Sequence, residues 1–261
     1  MRLNAITLPL AALNYLQTGG LWNITKIGWG RDNTNHKVLD DNTLQVFYPK
    51  GSYAPSKNPQ GGIGIYASPF DLFPADEIMF SYEVKFDETF NPMLGGKLPG
   101  IFLSNGVGKE FMKDASGGKH NNVTASCRIS WRQNFQAEAY VYVPEEQNKD
   151  YYKIANFIDN KVYGDSLWRG LFQFSQTDWN TVCIYIKVNS FDKFMNPKSD
   201  GVLHVTINGE TQRFNKLVWR TNPKTQIAAI VFATFFGGGT EKYATPVDTS
   251  SYFRNVMVET H

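Results

Sequence analysis

The stretch Ser126-Cys127-Arg128-Ile129-Ser130-Trp131-Arg132-Gln133-Asn134-Phe135-Gln136-Ala137-Glu138-Ala139-Tyr140-Val141-Tyr142-Val143 splits into two faces when read with a period of two. Cys127, Ile129, Trp131, Phe135, Ala137, Ala139, Val141 and Val143 share one parity. Ser126, Arg128, Ser130, Arg132, Gln136, Glu138, Tyr140 and Tyr142 share the other. This is the pattern of a β-hairpin with one face in a core and one polar face. If the arms pair about Asn134, strand partners keep a constant index sum, which sets Arg128 opposite Tyr140 and Ser126 opposite Tyr142. An ordinary solvated sheet face carries Lys, Glu and Thr. An Arg flanked by two Ser and facing two Tyr is better suited to holding an anion.

The same period recurs outward from the hairpin. Ile78, Phe80, Tyr82, Val84 and Phe86 alternate with polar residues, and Val182–Val188 behaves likewise. Leu203–Ile207 and Glu210–Phe214 flank Asn208-Gly209, a strong hairpin-turn signal. Further strands are expected at Leu44–Tyr48, Gly62–Ala67, Ile227–Phe236 and Tyr252–Glu259, and no long helical apolar stripe is present. Many short strands divided by Gly, Pro, Asn and Asp predict an all-β chain, an antiparallel β-jelly roll of two sheets with a concave groove. The polar stretches Gly106–Asn122, Glu145–Gly164 and Asn189–Gly201 are long for hairpin loops and are candidates for groove walls or lids.

Length and composition narrow the function classes. The chain has 261 residues and fits one domain, with residues 1–43 as an N-terminal strand region and 44–261 as the core. A net charge of +2 with no block of like charges argues against nucleic-acid or membrane partners. Cys127 and Cys183 are too few for a disulfide framework. The histidines His36, His120, His204 and His261 lack ligand or triad spacing, so neither metal nor cofactor is expected. The apolar Leu8–Leu16 is leader-like, but Asn4, Pro9 and Asn14 interrupt it, and it is read as part of an already processed or truncated chain. The sequons at Asn23 and Asn122 permit glycosylation in a secretory setting. A glycosidase needs two carboxylates straddling the bond, and no such pair accompanies Glu138.

Three stretches carry a family resemblance. They are Gly95-Gly96-Lys97-Leu98-Pro99-Gly100, the Ser126, Arg128, Tyr140 and Tyr142 spacing, and Thr234-Phe235-Phe236-Gly237-Gly238 with Tyr252-Phe253-Arg254-Asn255. With these the chain resembles the family 14 polysaccharide lyases, alginate and glucuronan lyases of marine molluscs and chlorella viruses, from about Leu44 onward. It departs from them in the lead Asn91-Pro92-Met93 and in the length of Gly106–Asn122. The resemblance implies β-elimination on an acidic polysaccharide by a secreted enzyme, or by a virus-associated one acting on a host wall. It implies a catalytic set of Lys97, Ser126, Arg128, Tyr140 and Tyr142 lining a cleft.

The chemistry explains why such groups are needed. The proton alpha to a uronate carboxylate is scarcely acidic until the carboxylate is neutralised. Arg128, helped by Ser126, can grip that carboxylate in a bidentate manner. Lys97 or Tyr140 is the base and acid, with Tyr142 as the remaining cleft partner. A neighbouring guanidinium is expected to lower the pKa of either, giving an alkaline optimum. Ser130, Arg132, Gln136 and Glu138 on the same face are candidate substrate-binding residues, Glu138 alternatively a structural one. The competing function is a non-catalytic polyuronate-binding lectin or carbohydrate-binding module, which has no need of a poised base. A monomer is expected.

Overall fold

The structure is a computed structural model that describes residues 4–31, 35–39, 41–69, 72–111, 121–160 and 162–260. Two antiparallel sheets form it. The eight-stranded sheet contains β1 (Asn4–Thr7), β3 (His36–Val38), β4 (Leu44–Tyr48), β6 (Glu77–Phe86), β11 (Asn180–Lys187), β12 (Gly201–Ile207), β13 (Glu210–Leu217) and β15 (Thr249–Thr260). Its order is β13-β12-β11-β6-β15-β4-β3, with β1 also on β15. The seven-stranded sheet contains β2 (Ile24–Trp29), β5 (Ile63–Ala67), β7 (Gly96–Ser104), β8 (Ala125–Trp131), β9 (Gln136–Tyr142), β10 (Asp165–Gln173) and β14 (Gln226–Phe236). Its order is β10-β9-β8-β7-β14-β5-β2. Every expected strand is present, and the all-β jelly roll is the observed fold.

The core lies between the sheets, where the inward parities of both meet. Trp131 is its centre on the hairpin side. Its ring meets Phe90 and Phe236, each at 5.3 Å between centroids, and Phe86 packs on Phe90 at 4.7 Å. The indole N–H of Trp131 donates to the Pro92 carbonyl at 3.1 Å, so the unusual lead Asn91-Pro92-Met93 fastens the hairpin end to the core. The leader-like segment is also core: β1 pairs with β15, and Leu8, Leu10, Leu13 and Leu16 are buried.

The hairpin forms in the expected register. Arg128 pairs with Tyr140, Ser126 with Tyr142 and Ser130 with Glu138 across β8 and β9. Asn134 and Phe135 take positive φ values of 56° and 57° in the turn. Asn208 and Gly209, at φ 52° and 87°, make the other tight hairpin.

Lys97, in its glycine-rich motif, lies inside β7, between β14 and β8. Pro99 is tolerated there because β7 is irregular on both sides: pairing shifts between Lys97 and Gly100 against β8, and between Val231 and Phe235 against β14. The irregularity decides which way Lys97 points. Leu98, Ile101 and Leu103 all face the core, although Leu98 has the opposite parity to the other two. Lys97 shares the parity of Ile101 and Leu103, and a regular strand would send it inward with them. The extra residue at Pro99 flips it to the outer face. The core residue Tyr82, from the opposite sheet, donates its hydroxyl to the Pro99 carbonyl at 3.1 Å, which satisfies a group that the bulge removes from the ladder.

Of the long polar stretches, Asn189–Gly201 joins β11 to β12 in the sheet that does not carry the hairpin. Residues 112–120 of Gly106–Asn122 lie outside the described residues. Glu145–Gly164 runs from the end of β9 to β10 and is anchored by buried Tyr151, whose hydroxyl donates to Asp165 at 2.7 Å.

Candidate functional site

On the outer face of the seven-stranded sheet, cross-strand register lines side chains into rows. One row is Phe102, Ser126 and Tyr142. The next is Tyr66, Val231, Gly100, Arg128, Tyr140 and Ser166. The third is Phe235, Lys97, Ser130 and Glu138. Adjacent rows lie two residues apart along each regular strand, so Lys97, Arg128, Ser126, Tyr140 and Tyr142 fall in one patch. The five residues expected to act together are therefore neighbours.

Within the patch the Lys97 ammonium donates to the Ser130 hydroxyl at 3.0 Å and sits 3.4 Å from the centre of the Tyr140 ring. The rings of Tyr140 and Tyr142 meet edge to face at 5.7 Å. Arg128, Tyr140 and Tyr142 are almost wholly buried, Ser126 and Ser130 wholly so, while Lys97 keeps partial exposure. Lys97 is thus the member of the patch with most access to a ligand.

Glu138 is the electrostatic centre. It is fully buried, and Arg132 holds one carboxylate oxygen through Nε at 2.8 Å and through Nη2. Arg169 holds the other oxygen through Nε at 2.6 Å and also donates to Ser166 at 2.8 Å. Burial pushes the Glu138 carboxyl upward, but Arg132, and then Lys97 and Arg169, outweigh it and keep the group ionised below the usual carboxylate range. Both oxygens are occupied and neither is accessible, which corrects the substrate-binding expectation: Glu138 is the floor of the patch, the internal counter-ion of its cations. Ser130 is likewise engaged beneath Lys97 rather than presented outward. Arg132 is tied to Glu138, and Gln136 is exposed at the margin of the sheet, opposite Gln173.

The two base candidates shift in opposite directions. Desolvation, and next the charge of Arg132, hold the Lys97 ammonium well below the usual lysine range, with Glu138 opposing and Arg128 and Arg169 adding. Burial, then the neighbouring Tyr142, pushes the Tyr140 phenol up, and Arg132 only partly offsets this. The expectation that a guanidinium lowers both is therefore met for Lys97 and overturned for Tyr140, because desolvation of a phenolate outweighs one nearby cation.

Arg169 and Ser166 belong to this site and are not singled out by the sequence pattern. They sit on β10, whose pairing with β9 shifts between Leu167 and Phe172, where Trp168 and Gly170 take φ values of 60° and 76°. The bulge erases the period of two. The available signal was a lone cation between an aromatic and a glycine within an apolar run.

Among the described residues no group of three or more His, Cys, Asp or Glu could hold a metal. The chain is a two-sheet jelly roll that gathers lysine, arginine and paired tyrosines on one face, with a carboxylate locked between arginines, and the family it matches is one of polysaccharide lyases. The chain belongs to the polysaccharide lyase 14 family, whose model matches residues 36–256. A solved PL-14 alginate lyase from Aplysia kurodai is 30% identical, with a TM-score of 0.78 and 89% of each chain covered. The alginate lyase vAL-1 from a Chlorella virus is 27% identical, with a TM-score of 0.76, covering 93% of this chain and 94% of that one. Exolysin of Paramecium bursaria Chlorella virus 1 is 22% identical over 199 residues, 70% of this chain. The chain spans only 29% of the length of that curated relative.

Proposed function

We propose that the protein depolymerises a (1,4)-linked polyuronate of the alginate or glucuronan kind by β-elimination. The observation that carries this reading is Lys97, an amine depressed toward its neutral form, placed against Ser130 and Tyr140 beside Arg128. A binding module has no use for such a group. Arg128 grips the sugar carboxylate, and Ser126 acts from beneath through its cross-strand partner Tyr142. Lys97, as free amine, takes the proton alpha to the carboxylate. Tyr140, held in its protonated form, gives a proton to the glycosidic oxygen as the carbon–oxygen bond breaks. The electron pair left on the alpha carbon becomes the new double bond, and afterwards Lys97 gives its proton to solvent while the tyrosinate takes one back from it.

Base and acid lie on one side of the substrate. Mannuronate and glucuronate present the proton and the leaving oxygen on one ring face, whereas guluronate presents them on opposite faces, so mannuronate or glucuronate blocks are the preferred substrates. The molluscan and viral origins of the relatives support action outside the cell or on a host wall. The shared core of the two sheets supports one catalytic unit.

The test is ultraviolet absorbance of unsaturated uronate during incubation with poly-mannuronate, poly-guluronate and glucuronan. A rise on mannuronate or glucuronan that Lys97→Ala and Tyr140→Phe both abolish is expected. Binding without product on all three polymers would make the protein a lectin.

A further inference from the structure

The outer face of the seven-stranded sheet does not end at the catalytic patch. From β7 to β2 it carries a separate apolar cluster of Phe102, Ala229, Val231 and Ala233, with Trp29, Tyr66 and Val107 packed on it. Tyr66 meets Phe102 edge to face at 5.2 Å, and Trp29 meets Phe235 at 5.4 Å. Lys26 lies 5.3 Å over the Tyr66 ring. Beyond this floor, at β2, a cavity of about 500 Å³ is lined by Gly28, Trp29, Arg31, Gln60 and Lys109 among others. Both of its walls are fixed on the same cluster: Trp29 directly, and Lys109 through Val107 of the same connection after β7. Among the described residues no carboxylate lines it. Arg31 and Lys109 are exposed.

An aromatic floor with two cations at its far edge is chemistry for a sugar that carries a carboxylate. Four strand spacings separate β2 from β8, by way of β5, β14 and β7, or ~19 Å at roughly 4.8 Å each. A sugar bound there is several units from the bond being cut. We infer that the Trp29, Arg31, Gln60 and Lys109 cavity is a distal subsite that holds a uronate carboxylate of the same polymer. This inference rests on the polyuronate lyase reading. Arg31 and Lys109 supply the charge, Gln60 a carboxamide, and Trp29 an apolar wall. Such a site adds binding without touching the reacting atoms, so it makes the enzyme favour long chains over short ones.

The experiment compares the wild-type protein with the Arg31→Ala/Lys109→Ala double variant on poly-mannuronate and on a mannuronate trimer, too short to bridge cleft and cavity. The expected result is a roughly tenfold rise in KM on the polymer, as for a lost charge-assisted contact, with kcat within about twofold and the trimer unaffected. An unchanged KM on the polymer, or an equal rise on the trimer, would overturn the subsite while leaving the lyase standing. If the wild-type protein forms no unsaturated product on any polyuronate, calorimetric titration with a mannuronate hexamer decides instead. Weaker binding by the double variant then keeps the subsite and discards the lyase; equal binding, or none by either protein, discards both.

Discussion

The Lys97 ammonium lies over the face of the Tyr140 ring, 3.4 Å from its centre, rather than beside its hydroxyl. The two groups therefore do not share one proton along a hydrogen bond, and each keeps its own titration. Lys97 is depressed by desolvation and Arg132, with Glu138 opposing. The acid limb of kcat/KM is expected to report Lys97, since activity is lost as pH falls and the amine is protonated. Glu138→Gln removes an anion that favours the ammonium, so the free amine persists to lower pH and the limb moves downward. A pH profile on poly-mannuronate checks this. A limb that stays fixed or moves upward would assign it to another group.

Glu138 also carries a stability argument. Truncation to Ala leaves Arg132, Arg169 and Lys97 gathered around a vacated, buried anion position. Removing one partner of a buried ionic cluster costs about 3–5 kcal/mol. Arg169 keeps a third of its side-chain surface in solvent, so the lower end applies, a fall in Tm on the order of 10 °C. Glu138→Ala combined with Arg132→Met should recover part of the loss, because it takes out an unpaired cation. Thermal unfolding followed by circular dichroism reads both variants, and a single-variant drop under about 2 °C would show that water reaches the cluster freely.

The bulge at Pro99 makes a separate prediction. Tyr82→Phe leaves the core packing nearly intact but removes the donor to the Pro99 carbonyl. An unsatisfied buried acceptor costs about 1–3 kcal/mol. Because that carbonyl lies two residues from Lys97 on the irregular part of β7, the variant should lose kcat beyond what its reduced stability explains at a temperature where both proteins are folded. Full kcat with lowered Tm would confine Tyr82 to packing.

These contrasts explain what the sequence discloses and what it hides. The Ser126–Val143 hairpin is legible down to its register because both arms are regular and its core parity is unbroken, so a period of two assigns every side chain. Lys97 and Arg169 stand where that rule fails. Each sits at an irregularity, at Pro99 in β7 and around Trp168 and Gly170 in β10, and an odd number of inserted residues, one in β7 and three in β10, inverts the face that simple alternation would assign. Lys97 is recoverable only through its motif. Glu138 is legible as a polar-face residue, but its burial is not, because the arginine that closes over it comes from the irregular strand.

The segment just before β10 backs the tyrosine pair at Gly164. At Gly164 a Cβ would lie 2.8 Å from Tyr140 Cε1, 2.9 Å from Tyr142 Cε2 and 2.7 Å from the Val141 carbonyl oxygen. The rings are hemmed in by burial and the carbonyl is part of the β9 ladder, so Gly164→Ala cannot be absorbed by a rotamer change alone. Overpacking costs about 1–3 kcal/mol, while a displacement of about 1 Å at the tyrosines costs on the order of a hundredfold in rate. The comparison is Gly209→Ala, at φ 87° in the β12–β13 turn with nothing near the added carbon. That substitution strains a backbone favouring glycine and lowers Tm by a similar amount, but it lies in the other sheet, away from the patch. Measured together, Gly164→Ala should lose about a hundredfold in kcat/KM and Gly209→Ala almost nothing. Equal losses in the two variants would mean that activity follows global stability and not the placement of Tyr140 and Tyr142.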